Sequence, residues 1–324
     1  MLLDPDRSYD LIGDVHGCVH SLEHLLDQLG YRQHAGVWRH PRRMALFLGD
    51  IIDRGPRIRE ALHLVHAMVD AGQAACLMGN HEFNALGWQT PVVTSDRVHF
   101  VREHSPLHAR QLQQTHQQFA NYPDEWREFI DWFQQLPLFI DAGRFRLVHA
   151  CWDAQMIAQL KLSYPQGVID QAFVQAAAEP GSFASRVFNR LLRGTDMRLP
   201  DGLTLTGEDG YTRAHFRTKF WADAPQTYGD IVFQPDALPE QVAQTPLSAE
   251  QKNRLLHYPE DQPLLFVGHY WRRGLPAPIR PNLACLDYSA VLNGKLVAYR
   301  LDQERELDPG KFCWVEVEQL EAPR

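Results

Sequence analysis

Five short stretches, far apart in the chain, carry residues of the kinds that hold metal ions and move protons. They are Asp14 and His16 in GDVHG, Asp50 in GDIIDRG, Asn80 and His81 in GNHE, His149 in VHA, and His269 in GH. Carboxylate and amide oxygens mixed with imidazoles form the ligand set of a divalent transition metal; an all-oxygen set would point to calcium, and thiolates to structural zinc. The mixture favours catalytic manganese, iron or zinc. Gly13, Gly17, Gly49, Gly55, Gly79 and Gly268 lie beside these residues and let the chain turn sharply there. A lone Gly-Asp or Asn-His pair would be weak evidence, whereas the ordered series is strong. The plainer alternative is that Asp14, Asp50 and Asp53 only cap helices. Capping accounts for an aspartate, but not for Asp, Asn and His together.

Such residues converge only if the elements before them end at one place. YDLIGDVHG from Tyr9 reads as a buried strand ending in a loop, followed by a helix with Leu22, Leu25, Leu26 and Leu29 on one face and Gly30 at its end. The unit recurs: MALFLGD from Met44 is a strand, IIDRGP its loop, and 58–71 a helix ended by Gly72. AACLMGNHE starts a third. Three such units predict a βαβ sheet with a site at its strand ends. From 90 to 136 the pattern is polar, with helical spacing at Leu107, Gln111 and Leu112 and at Trp126, Phe129, Ile130 and Phe133, and no evident strand. The strand FRLVHA resumes the sheet. Residues 151–262 form a second excursion of helices, a hairpin at LPDGLTL and Pro-containing loops, expected to cap the site. PLLFVGH, LACLDYSA, KLVAYRLD and FCWVEVE then read as four β-rich runs.

These motifs resemble those of the calcineurin-like metallophosphoesterases, serine/threonine phosphoprotein phosphatase branch, over about 9–149 and 263–301. The resemblance implies an α/β fold with two central mixed β-sheets flanked by helices, a four-layer sandwich, with a helical cap insertion. The chain is then one domain, 1–324, carrying a helical insertion at about 90–140 and a cap insertion at about 151–262. It implies two divalent ions, manganese first among manganese, iron, zinc, nickel and magnesium. Asp14, His16 and Asp50 would hold one, and Asp50, Asn80, His149 and His269 the other, with Asp50 shared. A hydroxide bridging the two ions would attack a phosphomonoester or phosphoanhydride. His81 would be the general acid, oriented by Asp53, and Arg54 would bind the phosphate, with Arg193 in LLRGTD as the second phosphate-binding arginine.

The chain departs from that branch at VHACWD and in the 151–262 insert. There VHACWD, RLPDG, FVGHYW and CLDYS look more like bacterial relatives, which include dinucleoside tetraphosphate hydrolases and the phosphatase domain of an RNA-repair enzyme. Phosphoprotein, dinucleotide and nucleic-acid end substrates stay open. The rival from a different class is a metal-dependent binding module without turnover, against which the pair His81 and Asp53 argues.

Composition narrows the partners. The chain has 324 residues, 44% hydrophobic and 22% charged, which is ample for a core and ill suited to disorder. Its net charge of -8 gives no overall field for a nucleic-acid backbone. The N-terminal residues lack a basic segment with an apolar run, and no stretch approaches eighteen apolar residues, so export by that route and membrane spanning are not expected. Five cysteines without CxxC spacing suit a reducing compartment, and the cytoplasm is the expected location. Twelve of sixteen histidines lie outside the motifs. His20 with His24 and His63 with His66 have chelating spacing, but read better as solvated helix faces. Trp126, Phe129, Trp132 and Phe133 read as core. Trp152, Tyr270, Trp271 and Tyr288, beside motif loops, are candidate substrate contacts, and Arg272 with Arg273 is either a second phosphate contact or a surface pair.

Overall fold

The structure, a computed structural model, describes residues 3–4, 6–95, 97–206, 212–233 and 238–317. Two mixed sheets pack face to face. The first runs in the order Asp287–Tyr288, Lys295–Leu301, Ser8–Ile12, Arg43–Phe47 and Ala74–Cys76, with Phe312–Glu316 also pairing with Lys295–Leu301. Ser8–Ile12, Arg43–Phe47 and Ala74–Cys76 are parallel neighbours, as the repeated strand-loop-helix units predict. The second sheet runs Leu283–Cys285, Leu264–Val267, Phe145–Val148 and Phe139–Asp141.

Strand alternation decides which residues fill the space between the sheets. Tyr9, Leu11, Leu46, Val297 and Tyr299 from the first sheet meet Phe145, Leu147, Leu264 and Phe266 from the second in one apolar cluster. Their neighbours Ile12, Ala45, Phe47, Val148, Leu265 and Val267 face outward and are covered by helices. The helix Val19–Leu29 shows why: Val19, Leu22, Leu25, Leu26 and Leu29 are buried on one stripe, and Gly30 ends it in the left-handed conformation, φ 94°, with Tyr31 N–H donating back to Leu26. Each such Leu contributes about 1.5–3 kcal/mol by leaving water. Trp126, Phe129, Trp132 and Phe133, on the helix Pro123–Phe133, are buried as expected of core.

Both insertions differ in part from expectation. The first opens on a hairpin, Pro91–Val93 with Val98–Phe100, before the helices Pro106–Gln111, Gln113–Phe119 and Pro123–Phe133. Valines 92, 93 and 98 around a polar turn favour strand, a signal too short to stand out in a helical stretch. The second is not purely helical. After Ala154–Lys161, Gln171–Ala176 and Phe183–Arg193, Thr195–Arg198 pairs with His215–Thr218. LPDG is a 3-10 turn, Pro200–Gly202, inside that loop, and Leu205–Thr206 pairs with Thr212–Arg213. Leu199, Phe216, Tyr228, Ile231, Val242 and Leu247 give this region a small core of its own.

Candidate active site

Asp14 and His16 follow Ser8–Ile12, Asp50 follows Arg43–Phe47, His149 follows Phe145–Val148, and His269 follows Leu264–Val267. All are buried, as are Asn80 and His81 at the start of the helix Asn80–Gln89. The loops pay a conformational cost: His16, Asp50, Asp53, Arg54 and His269 all have φ between 44° and 67°, a region that side chains rarely occupy. At Gly268 a Cβ would stand 2.1 Å from Asp14 Oδ1, so only glycine lets this backbone come so close.

One ligand atom each of His16, Asp50 and His81 lies within 4.8 Å of the others, and the same holds for Asp50, His149 and His269. Asp50 belongs to both groups. Asp50 Oδ2 is 3.2 Å from His149 Nε2, which is also 3.2 Å from Asn80 Oδ1. Asp14 falls outside both groups, with its Oδ2 accepting from His269 N–H at 3.1 Å. Backbone carbonyls fix two ring tautomers: His16 Nδ1 donates to Ile52 O and His149 Nδ1 to Leu48 O, both at 2.7 Å, which turns each Nε2 toward Asp50. Buried Asp14 Oδ1 and His269 Nε2 have no hydrogen-bond partner. Orphaned buried donors and acceptors are costly, and this donor set fits divalent cations.

Charge follows from burial. Burial pushes the Asp14 carboxyl well above the usual range, and the neighbouring Asp287 adds to the rise. For Asp50, burial is outweighed by His149, His81 and His16, which hold its carboxyl well below that range. His149 answers to the same pairing: burial opposes its protonation, but Asp50 pushes it up to about 10. Burial keeps His16 and His269 neutral, helped by Arg54 at His16 and by Arg217 at His269.

His81 Nδ1 donates to Asp53 Oδ2 at 2.6 Å, and the other Asp53 oxygen accepts from the Thr115 hydroxyl. Nε2 of His81 is left toward Asp50. Arg54 is exposed with its guanidinium 5.4 Å from the Trp271 ring, and Arg193 donates to Asn84 Oδ1 at 2.8 Å. Both border a cavity of about 460 Å³ together with Asp50, Asn80, His81 and His269.

Four contributors went unseen in the sequence. Glu82, the last letter of GNHE, accepts from the N–H groups of Asp50, Ile51, Ile52 and Gly79 and so fixes the Asp50 loop. Asp287 of CLDYS is buried and lies near enough to Asp14 for its charge to act there. Thr115 and Arg217 come from the insertions and carry no motif; Arg217 donates to His269 O at 3.2 Å. Of the aromatic candidates only Trp271 borders the cavity, while Trp152, Tyr270 and Tyr288 are buried. Tyr270 packs against the second insertion at Gly194, φ 83°, where a Cβ would stand 2.3 Å from its hydroxyl. Arg272 turns away to Ala277 O and the Tyr288 ring. His20 pairs with Glu23 on a solvated face, whereas His63 and His66, paired with Glu125 and Asp70, also set their rings edge-on against Phe129 of the helix Pro123–Phe133.

The family model described as calcineurin-like phosphoesterase matches residues 9–171. The asymmetrical bis(5'-nucleosyl)-tetraphosphatase PrpE of Halalkalibacterium halodurans is 46% identical over 74 residues, 22% of this chain and 30% of that protein. Its namesake from Geobacillus thermodenitrificans is 33% identical over 144 residues, 44% of this chain and 56% of that protein. The chain thus spans about a third to a half of the length of these curated relatives. Among solved structures, a protein serine/threonine phosphatase from Saccharomyces cerevisiae is similar at a TM-score of 0.49 and 15% identity, over 98% of this chain and 82% of that one.

Proposed function

We infer the activity from one premise: this chain belongs to the calcineurin-like phosphoesterase family. It hydrolyses phosphomonoesters or phosphoanhydrides with two divalent cations, manganese in the first place, held by Asp14, His16, Asp50, Asn80, His149 and His269. The single observation that carries the reading is that buried Asp50 stands between two sets of buried ligand atoms, His16 on one side, His149 and His269 on the other, with His81 Nε2 beside the first. When bound, the cations supply an activated water and polarise the phosphoryl oxygens.

The chain's own residues do the rest. Arg54 and Arg193 bind phosphate oxygens, which guanidinium groups match two at a time. His81, with Nδ1 held by Asp53, presents Nε2 to protonate the leaving oxygen, and Thr115 fixes Asp53 in turn. The domain is 1–324, and both insertions border the cavity, the first through Arg102 and Arg110, the second through Arg193 and Arg217. Five free cysteines, four of them buried, suit a cytoplasmic location.

A second reading, hydrolysis of dinucleoside tetraphosphates, is favoured by the names of the two bacterial relatives. Loading the protein in turn with manganese, iron, zinc, nickel and magnesium, with elemental analysis and p-nitrophenyl phosphate turnover, tests the main reading. Two ions per chain with turnover is the expected result. A loaded protein without turnover would overturn it and leave a metal-dependent binding module.

A further inference from the structure

The cavity beside the ligand groups is bordered by Arg54, Arg102, Arg110, Arg193 and Arg217, against Asp50 as its acidic member. Three arginines elsewhere are closed by carboxylates: Arg43 by Asp10 and Asp302, Arg59 by Glu125, Arg280 by Asp223. Arg54, Arg102, Arg193 and Arg217 at the cavity are not. Arg193 donates to the amide oxygens of Asn189 and Asn84, Arg217 to the carbonyl of His269, and Arg54 lies by the Trp271 ring. Arg102 donates to Gln111 Oε1 at 2.5 Å, and its buried Nε has no partner. Among the described residues none of these four forms an ion pair with a carboxylate.

Such a wall is unfavourable without an anion. Burial lowers the Arg102 guanidinium to about 10, and the charge of Arg193 adds to the fall, with the Asp53 carboxylate as the smaller opposing influence, so the two arginines lie near enough to repel. A phosphomonoester carries at most two charges, which Arg54 and Arg193 can meet. Arg102 and Arg110 come from the other insertion, where Gln111 holds the Arg102 guanidinium in place.

On the reading given above, we propose that Arg102 is a specificity-determining residue which binds a second phosphate, joined to the one being hydrolysed, so that the preferred substrates carry a chain of phosphates.

The test uses the full-length, metal-loaded enzyme with divalent cation in excess over added polyphosphate. Inhibition of p-nitrophenyl phosphate turnover is compared for inorganic orthophosphate and inorganic tripolyphosphate. Tripolyphosphate should inhibit at a concentration at least about tenfold lower, the size of one charge-assisted hydrogen bond. Arg102→Gln should shrink that ratio about tenfold, and Arg102→Lys, which keeps the charge, should retain most of it. Should Arg102→Gln not fold, Gln111→Ala, which releases the guanidinium, should shrink the ratio by a smaller factor. Equal inhibition in the wild type, or a ratio that neither Arg102→Gln nor Gln111→Ala changes, would overturn this inference alone. No p-nitrophenyl phosphate turnover in the wild type would instead overturn the parent reading.

Discussion

At the leading edge of the first sheet Arg43 is buried between Asp10 and Asp302, with Lys311 closing on Asp302. At the other end of the same strands Asp14 is buried beside His269, which follows Leu264–Val267 of the second sheet, and Asp14 Oδ1 and His269 Nε2 have no hydrogen-bond partner. The two ends share the strands Ser8–Ile12 and Arg43–Phe47, and both take ionisable groups out of water. One end closes each charge with a counter-charge, which makes it a structural clamp. The other leaves donors and acceptors open, in a backbone bent into an unfavourable region, so its fold is completed by something the chain does not supply.

This contrast can be broken most directly at Asp50. Asp50→Asn should abolish measurable turnover and lower bound metal in elemental analysis; full metal occupancy in the variant would remove the shared-ligand role. His81→Ala should keep both ions but lower kcat about 10²- to 10⁴-fold for alkyl phosphates. The loss should be smaller for p-nitrophenyl phosphate, whose leaving group needs no proton, and an equal loss for both would reject the acid role. Glu82→Gln, which weakens the brace on the Asp50 loop, should raise the metal Kd about 10- to 100-fold. Titration of the metal-free protein reads it out, and an unchanged Kd would leave Glu82 a bystander.

At the opposite end, Arg43→Met should destabilise the fold by about 3 kcal/mol, because Asp10 stays buried with Arg300, at 3.4 Å, as its remaining arginine partner. Urea denaturation measures this, and kcat of the folded fraction should not change. The smallest effect is at Asp302. Burial would raise its carboxyl, but Lys311 and Arg43 hold it well below the usual range. Its stabilisation is therefore present above the unfolded carboxylate value and fades as pH falls below about 4. The Tm gap between wild type and Asp302→Asn should narrow there; a gap independent of pH would show that the charge contributes nothing.

How far these features were legible in the sequence depended on whether the contact lies within a motif. Asp14, Asp50 and His269 stand next to glycines at the ends of apolar runs, and the parallel pairing of Ser8–Ile12, Arg43–Phe47 and Ala74–Cys76 followed from the repeated units. The sandwich was implied by the motif resemblance. Glu82 was in view as part of GNHE, yet its role depends on N–H groups thirty residues away that only the fold brings together. Thr115 and Arg217 belong to insertions whose local pattern records burial and helix propensity, not the loop they will touch. The hairpin Pro91–Val93 was missed for a related reason: three residues a side give too little alternation to outweigh the helices that follow.

Gly194 carries the last consequence. Its bare Cα makes room for the Tyr270 hydroxyl, and Tyr270 is the chain neighbour of His269, so the second insertion touches the ligand loop through a contact with no slack. That region therefore cannot be exchanged as an independent cassette. A graft from a related chain that brought any larger residue to this position would have to move the Tyr270 ring beside His269, and the two would have to be re-engineered together.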